Sequence, residues 1–112
     1  MNEIIGEFEK RLRQEIEGYL KVALGEEADV MVLQSASGHV MIQVIYPWGY
    51  LDEARIERQN PTIFRAVEEF CFSKLGVGFW GFVIKKTHIR GWIDKNSQTE
   101  ARLQALPQSF AT

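Results

Sequence analysis

Between Val30 and Leu51 the chain carries no aspartate, glutamate, lysine or arginine, and that stretch restricts the folds open to it more than any other feature. VMVLQSA and VMIQVIY, on either side of Ser37-Gly38, are rich in β-branched and bulky apolar residues, which suits strands covered on at least one face. Ser37-Gly38 reads as the turn of a β-hairpin. With a two-residue turn, Ala36 faces His39, Leu33 faces Ile42 and Met31 faces Val44. One sheet face then holds Met31, Leu33, Val40, Ile42 and Val44, laid on helices. The other holds Val30, Val32, Gln34, Met41, Gln43 and Ile45 and is only partly polar. An uncharged sheet face or edge needs a cover. Either another segment of this chain, such as the C-terminal tail, or a second subunit supplies it.

Helices to back the hairpin are legible on both sides. From Asn2 to Leu24 the residues Ile5, Phe8, Leu12, Ile16, Leu20 and Ala23 recur at spacings of three and four, one stripe of an amphipathic helix with Asn2 placed to cap it and Gly25 to end it. Glu7 with Arg11, Glu9 with Arg13 and Glu17 with Lys21 are i,i+4 pairs on a face that reads as solvated. Asn60-Pro61 announces a second helix, asparagine as cap and proline at the first helical position. Its stripe is Ile63, Phe64, Val67, Phe70, Cys71 and Leu75, and Gly76 is its stop. The segment YPWGYLDEARIERQ between hairpin and helix is irregular, with Pro47 and Gly49 at a turn and one or two helical turns in its charged part.

GVGFWGFVIKK, residues 76–86, matches two phosphate-loop templates by letter. The dinucleotide fingerprint needs its glycines between a strand and a following helix, whose N-terminus receives the pyrophosphate. Here the order is helix, then strand. The protein-kinase glycine loop fits G-x-G-x-x-G-x-V, but the chain contains no H-R-D or D-F-G and is too short for a second lobe. The glycines are read instead as a helix stop at Gly76, entry to the sheet at Gly78 and a bulge at Gly81. From Val77 to Asp94 the β-branched and aromatic run reads as one long strand, bent at Gly91. QTEARLQAL forms a short helix ended by Pro107.

The 112 residues, 46% hydrophobic and 25% charged, describe one globular domain, drawn here as residues 1–94 with a polar, partly helical or frayed tail over 95–112. A net charge of -2 offers no long-range attraction to nucleic acid or anionic membrane. With a single cysteine, Cys71, no internal disulfide can form, which fits a reducing, cytoplasmic setting. The first residues have no signal-peptide pattern and no window reaches the length of a membrane span.

Positive signs of chemistry are few. His39 and His88 are far apart in sequence, no C-x-x-C or H-x-x-x-H occurs, and Cys71 lies on an apolar stripe as a small inert thiol. The carboxylate pairs Glu26-Glu27, Asp52-Glu53 and Glu68-Glu69 have surface explanations. No catalytic residue, cofactor or metal site is assigned. What remains is the strand end Lys85, Lys86, His88 and Arg90 beside Phe79, Trp80, Phe82 and Trp92, the mixture that single-strand nucleic-acid platforms use. Alternation places Trp80 and Phe82 on one face with Lys86, His88 and Arg90, and Phe79 on the other with Lys85.

The expected architecture is α+β, in the order α-β-β-α-β(-α), with a mostly antiparallel sheet of three to four strands and two helices packed on one face. In topology alone it resembles the type II KH-like arrangement and small acidic dimeric secretion chaperones; no G-x-x-G joins two helices, so no functional residue follows from the likeness. The leading expectation is a non-enzymatic protein-binding or self-associating domain, a homodimer among the options, using Val30, Val32, Met41, Ile45, Trp48 and Tyr50. The alternative is an RNA or single-strand-binding module using Trp80, Lys85, Lys86, His88 and Arg90.

Overall fold

Leu12, Ile16 and Leu20, the centre of the first apolar stripe, are fully buried along α1, Glu7–Leu24. The helix ends as its sequence asks: Gly25 takes the left-handed conformation at φ 71° and its N–H reaches the Lys21 carbonyl at 2.9 Å. The computed structural model describes residues 6–25, 28–35, 37–45, 53–85 and 88–107, so the capping role assigned to Asn2 lies outside the described residues. The first described turn is capped by Gly6, without a side-chain bond.

The charged face of α1 is not wholly solvated. Glu9 and Glu15 are buried, and their partners differ from the expected ones. Arg11 Nε donates to Glu15 at 3.2 Å and Arg13 Nε to Glu17 at 3.3 Å. Glu9 takes Lys95 from the far end of the chain, Nζ to Oε2 at 3.0 Å, while the same ammonium sits 4.9 Å from the centre of the Phe8 ring. A carboxylate out of water is tolerable only with such a cation beside it.

The remaining elements are β1 (Asp29–Gln34), β2 (His39–Ile45), α2 (Glu53–Phe70), β3 (Trp80–Ile84), β4 (His88–Asp94) and α3 (Ser97–Gln104), in the order α-β-β-α-β-β-α. The four strands form one antiparallel sheet in the spatial order β1-β2-β4-β3. One face joins α1 and α2 in a single core that includes Val30, Val32, Val40, Ile42, Val44, Ile89 and Ile93. The α+β class and the helix-backed antiparallel sheet are as expected.

The hairpin register differs by one residue. Gln34 pairs with Val40, Leu33 with Met41 and Val32 with Ile42, and Ser35 N–H donates to the His39 carbonyl at 2.8 Å. The loop therefore holds three residues, 36–38, and its last, Gly38, sits at φ 86°. Shifting the pairing by one reverses the whole strand: Val30 and Val32 face the helices, and Met31 and Leu33 face away.

Two further corrections concern element boundaries. The single long strand is a hairpin, β3 and β4, closed by Lys85 N–H to the His88 carbonyl at 2.8 Å; nothing in GFVIKKTHIR but the polar Lys-Lys-Thr marks it. The second helix starts at Glu53, not Pro61, because the glutamate, alanine, arginine and glutamine before the proline are good helix formers. α2 then passes into one π-helical turn, Cys71–Leu75, which keeps Cys71 and Leu75 in the core while turning Phe72 out to 71% exposure. Gly76 ends it at φ 71°, the helix stop expected of it.

The short helix expected within QTEARLQAL is α3, and it packs on the rest of the fold. Asn96 caps α3, its Oδ1 accepting from the Thr99 N–H at 2.9 Å, and Leu103 is buried in the core. Arg102 Nε and Nη2 each lie 3.3 Å from the carbonyls of Lys74 and Ser73 respectively, satisfying the end of the π-helical turn.

Gly91 in β4 is set by contact: a Cβ there would overlap the outer edge of the ring of the buried Phe79. Gly91→Ala is expected to destabilise the fold by about 3 kcal/mol through overpacking, measured by urea denaturation. Pro61 lies inside α2 and has no N–H for the carbonyl one turn back. Pro61→Ala should therefore stabilise by about 2 kcal/mol; no gain would mean that the helix begins at the proline.

Candidate sheet-face binding site

The face of the sheet turned away from the helices is built by the alternation of its strands. Met31 and Leu33 come from β1, His39, Met41, Gln43 and Ile45 from β2, His88, Arg90, Trp92 and Asp94 from β4, and Trp80 and Val83 from β3. The registers line up one transverse apolar row, Leu33–Met41–Trp92–Trp80, with one residue from each strand. Next to it runs the mixed row Met31–Gln43–Arg90–Val83. Met31, Leu33 and Trp80 are 41%, 38% and 42% exposed, and Met41 and Trp92 are half-buried.

Trp80 reaches this row through an irregularity in β3. Trp80 pairs with Trp92 and Val83 with Arg90, so Gly81 and Phe82 together oppose Gly91, and Gly81 carries φ 62°. This is a β-bulge opened by a glycine in the left-handed region, the feature expected at that position. It separates Trp80 from Phe82, which plain alternation places together. Phe82 turns to the helix side, its ring 4.5 Å from Phe64.

The tryptophans stack at 6.2 Å and 26° between planes, and His39 meets Trp80 edge-on at 5.1 Å and 88°. His39 Nδ1 lies 3.0 Å from Asp94 Oδ1, close enough for an ion pair when the ring is protonated, although the alignment is not that of a hydrogen bond. Arg90 and Lys85 supply positive charge, and Asp29 and Asp94 supply negative charge at the margins. The His88 imidazole is held below its ordinary value by burial first, then by Arg90 and Lys85, so it adds no cation at neutral pH.

Of the residues assigned from the sequence, Met41 and Ile45 lie on this face, and so do Trp80, His88 and Arg90, with Lys85 exposed at its edge. Val30 and Val32 do not. Each is 5% exposed and faces the helices, a correction that follows from the one-residue register. Trp48, Tyr50 and Lys86 lie outside the described residues. Met31 and Leu33 are members that sequence reasoning placed on the opposite face, and Trp92 is one that it named beside the basic strand end without assigning it to a site. A hairpin glycine read as the third loop residue, in the left-handed region, would have put Met31 and Leu33 on this face.

Cys71 is fully buried and its thiol is pushed up to about 12 by burial and then by Glu68, so it is no nucleophile at neutral pH. An open cleft of about 460 Å³ between α1 and α3 is lined by Glu7, Arg11, Gln14 and Glu100 among others. Another of about 490 Å³ beside the π-helical turn is lined by Arg65, Glu68, Glu69, Phe72, Gly78 and Phe79. Neither joins a histidine to a hydroxyl or carboxylate. Among the described residues no group of three or more histidines, cysteines or acids is placed to hold a metal ion, and no helix is long and apolar enough to cross a membrane.

No family model, curated protein or solved structure matches the chain.

Folding lowers the His88 pKa, so the folded state binds fewer protons than the unfolded one. The stability tied to this group is complete above the ordinary value of about 6.5 and is lost as the pH falls below it. An NMR titration is expected to place the His88 midpoint below that value, and Arg90→Ala should raise it; an unmoved midpoint would rule out the role given to Arg90.

Proposed function

We propose that this chain is a non-enzymatic protein-binding domain and that the open sheet face is its binding surface. The observation that carries the reading is the row Leu33–Met41–Trp92–Trp80, apolar on every strand, with Leu33 and Trp80 exposed at its ends and Met41 and Trp92 half-buried between them. Exposed apolar area concentrated in one row, rimmed by Asp29, Gln43, Arg90 and Asp94, has the make-up of an interface, with large rings and methionine at the centre and charge at the edge. Three interstrand spacings make the row about 14 Å long. A helix of about ten residues spans that distance, so the partner class that fits is an amphipathic segment presenting one apolar stripe. The single cysteine suits a reducing compartment such as the cytoplasm.

A second reading has its own support: Trp80 is exposed on the face that also carries Arg90, with Lys85 at the far end of β3, so an aromatic ring for stacking and cations for phosphate contact share one face. Against it stand Asp29 and Asp94 at the margins of the face and the neutral state of His88.

The two readings separate in one set of measurements. Met41→Glu places a charge at the centre of the row, whereas Val22→Glu places one at an exposed site on α1. Proteins retained by the immobilised wild-type chain and by Val22→Glu, but lost with Met41→Glu, are the expected result. Equal retention by all three would remove the open face as the binding surface. A mixed single-stranded oligonucleotide bound at low salt, with affinity falling when Lys85 and Arg90 become alanine, would favour the nucleic-acid reading instead.

A further inference from the structure

The two edges of the sheet are not equivalent. At the β1 edge the side chains that face the helices, Val30 and Val32, are covered, each 5% exposed. At the β3 edge the corresponding side chains, Phe82 and Ile84, are 49% and 44% exposed. The Gly81 bulge brings Phe82 to this side, where only the Phe64 ring of α2 touches it among the described ring contacts. Ile84 shares the side because it pairs with the buried Ile89.

The backbone of the same two residues is the part that points outward. Lys85 donates to His88 across the hairpin, so residues 85 and 83 direct their amide groups toward β4, and alternation turns those of Phe82 and Ile84 to the free side. Among the described residues no strand pairs there. A strand added at this edge would gain hydrogen bonds and apolar contact from the same positions.

The geometry points to a second copy of this chain as that strand. Turned antiparallel about a two-fold axis through Val83, β3 is complementary to itself. Phe82 faces the second copy's Ile84, Ile84 faces its Phe82, and Val83 meets Val83. Pleats agree in this register, so the four large apolar side chains merge on the helix side, flanked by Phe64 from each copy, and the valines meet on the open face. Charge agrees too. Among the described residues the charge adjoining β3 is Lys85, and it falls opposite the second copy's Gly81, not opposite the second copy's Lys85. By alternation Lys85 points to the open face, and Gly81 lies directly against Trp92, whose Cδ1 stands 3.1 Å from where a Cβ would be. Each lysine thereby comes to the Trp80–Trp92 ring pair of the other copy, a cation over aromatic faces. Moving the axis to Phe82 would instead set Ile84 against Trp80 across the bulge, mismatching the faces. The dimer doubles the sheet, with all the helices on one side and both open faces on the other. It goes beyond the partner-binding reading and does not depend on it.

Sedimentation of the full-length chain over a range of concentrations tests the inference. A mass approaching twice 12.9 kDa is expected, with dissociation to monomer in Phe82→Glu and at least a hundredfold weaker association. Cross-linking guards against a variant that fails to fold. Val83→Cys places two thiols across the axis at a non-hydrogen-bonded pair, where the backbones approach closely enough for a disulfide. It should give a covalent dimer under a mild oxidant, while Met31→Cys on the other edge should not. A wild-type chain monomeric at every concentration, or a dimer cross-linked through Met31→Cys and not Val83→Cys, would overturn the proposal. Met41→Glu should lose partner retention and remain dimeric, which keeps the two hypotheses separable.

Discussion

Two glycines held at positive φ decide which side chains this sheet shows to its helices and which to the outside. Gly38 closes a three-residue loop and Gly81 opens a bulge, and each changes the count of residues between paired positions by one. Since side chains in a strand alternate strictly, a change of one is not a small adjustment but a reversal of everything beyond it. Gly38 sends Val30 and Val32 into the core and frees Met31 and Leu33. Gly81 brings Trp80 out beside Trp92 and turns Phe82 back toward Phe64. The core, the open apolar row and the uncovered β3 edge all follow from these two backbone conformations, which side-chain-bearing residues adopt only under strain.

The layer behind the sheet is held by long-range ties that compensate for unusual local choices. Glu9 is buried in a helix that would otherwise read as surface, and its cation comes from Lys95, beyond the last strand. Arg11 reaches the Leu106 carbonyl at 2.9 Å, and Arg102 covers the carbonyls at the end of the π-helical turn. Together these join α1, α2 and the segment after β4, so α3 belongs to the packed unit. The π-helical turn sits where α2 must deliver Cys71 and Leu75 to the core and then stop at Gly76.

The surface this framework presents is apolar in two places that meet at β3: the open row across all four strands, and the edge where Phe82 and Ile84 lie uncovered. On the row, aromatic rings and methionines give adaptable contact while opposing charges stay at the margin. At the edge, backbone groups and apolar side chains coincide on the same two residues. An arrangement of this kind gathers the exposed apolar surface on one strand and its neighbours while the helices close off the other face. The charge balance of the open face, with acidic residues at the ends and a neutral His88 among cations, tempers any attraction to phosphate.

Both main helices are legible in the order of residues alone. The periodicity of Leu12, Ile16 and Leu20 and of Ile63, Val67 and Phe70 identifies them, because burial on a helix repeats every three to four residues. The parity of β2 is legible as well, since Val40, Ile42 and Val44 are all apolar whereas the alternate set includes His39 and Gln43. That of β1 is not, because Val30, Met31, Val32 and Leu33 are apolar in succession and either set could face inward; only the loop length chooses. The β3–β4 turn carries no glycine or proline, and Pro61 carries the same letter inside a helix as at its start. By itself the sequence determined the class of fold, the helix stripes and the stock of apolar and aromatic side chains, all of which are local periodicities. Register, the cation for Glu9 and the exposure of the row and edge were decided by the tertiary structure, because each depends on which distant residue stands opposite.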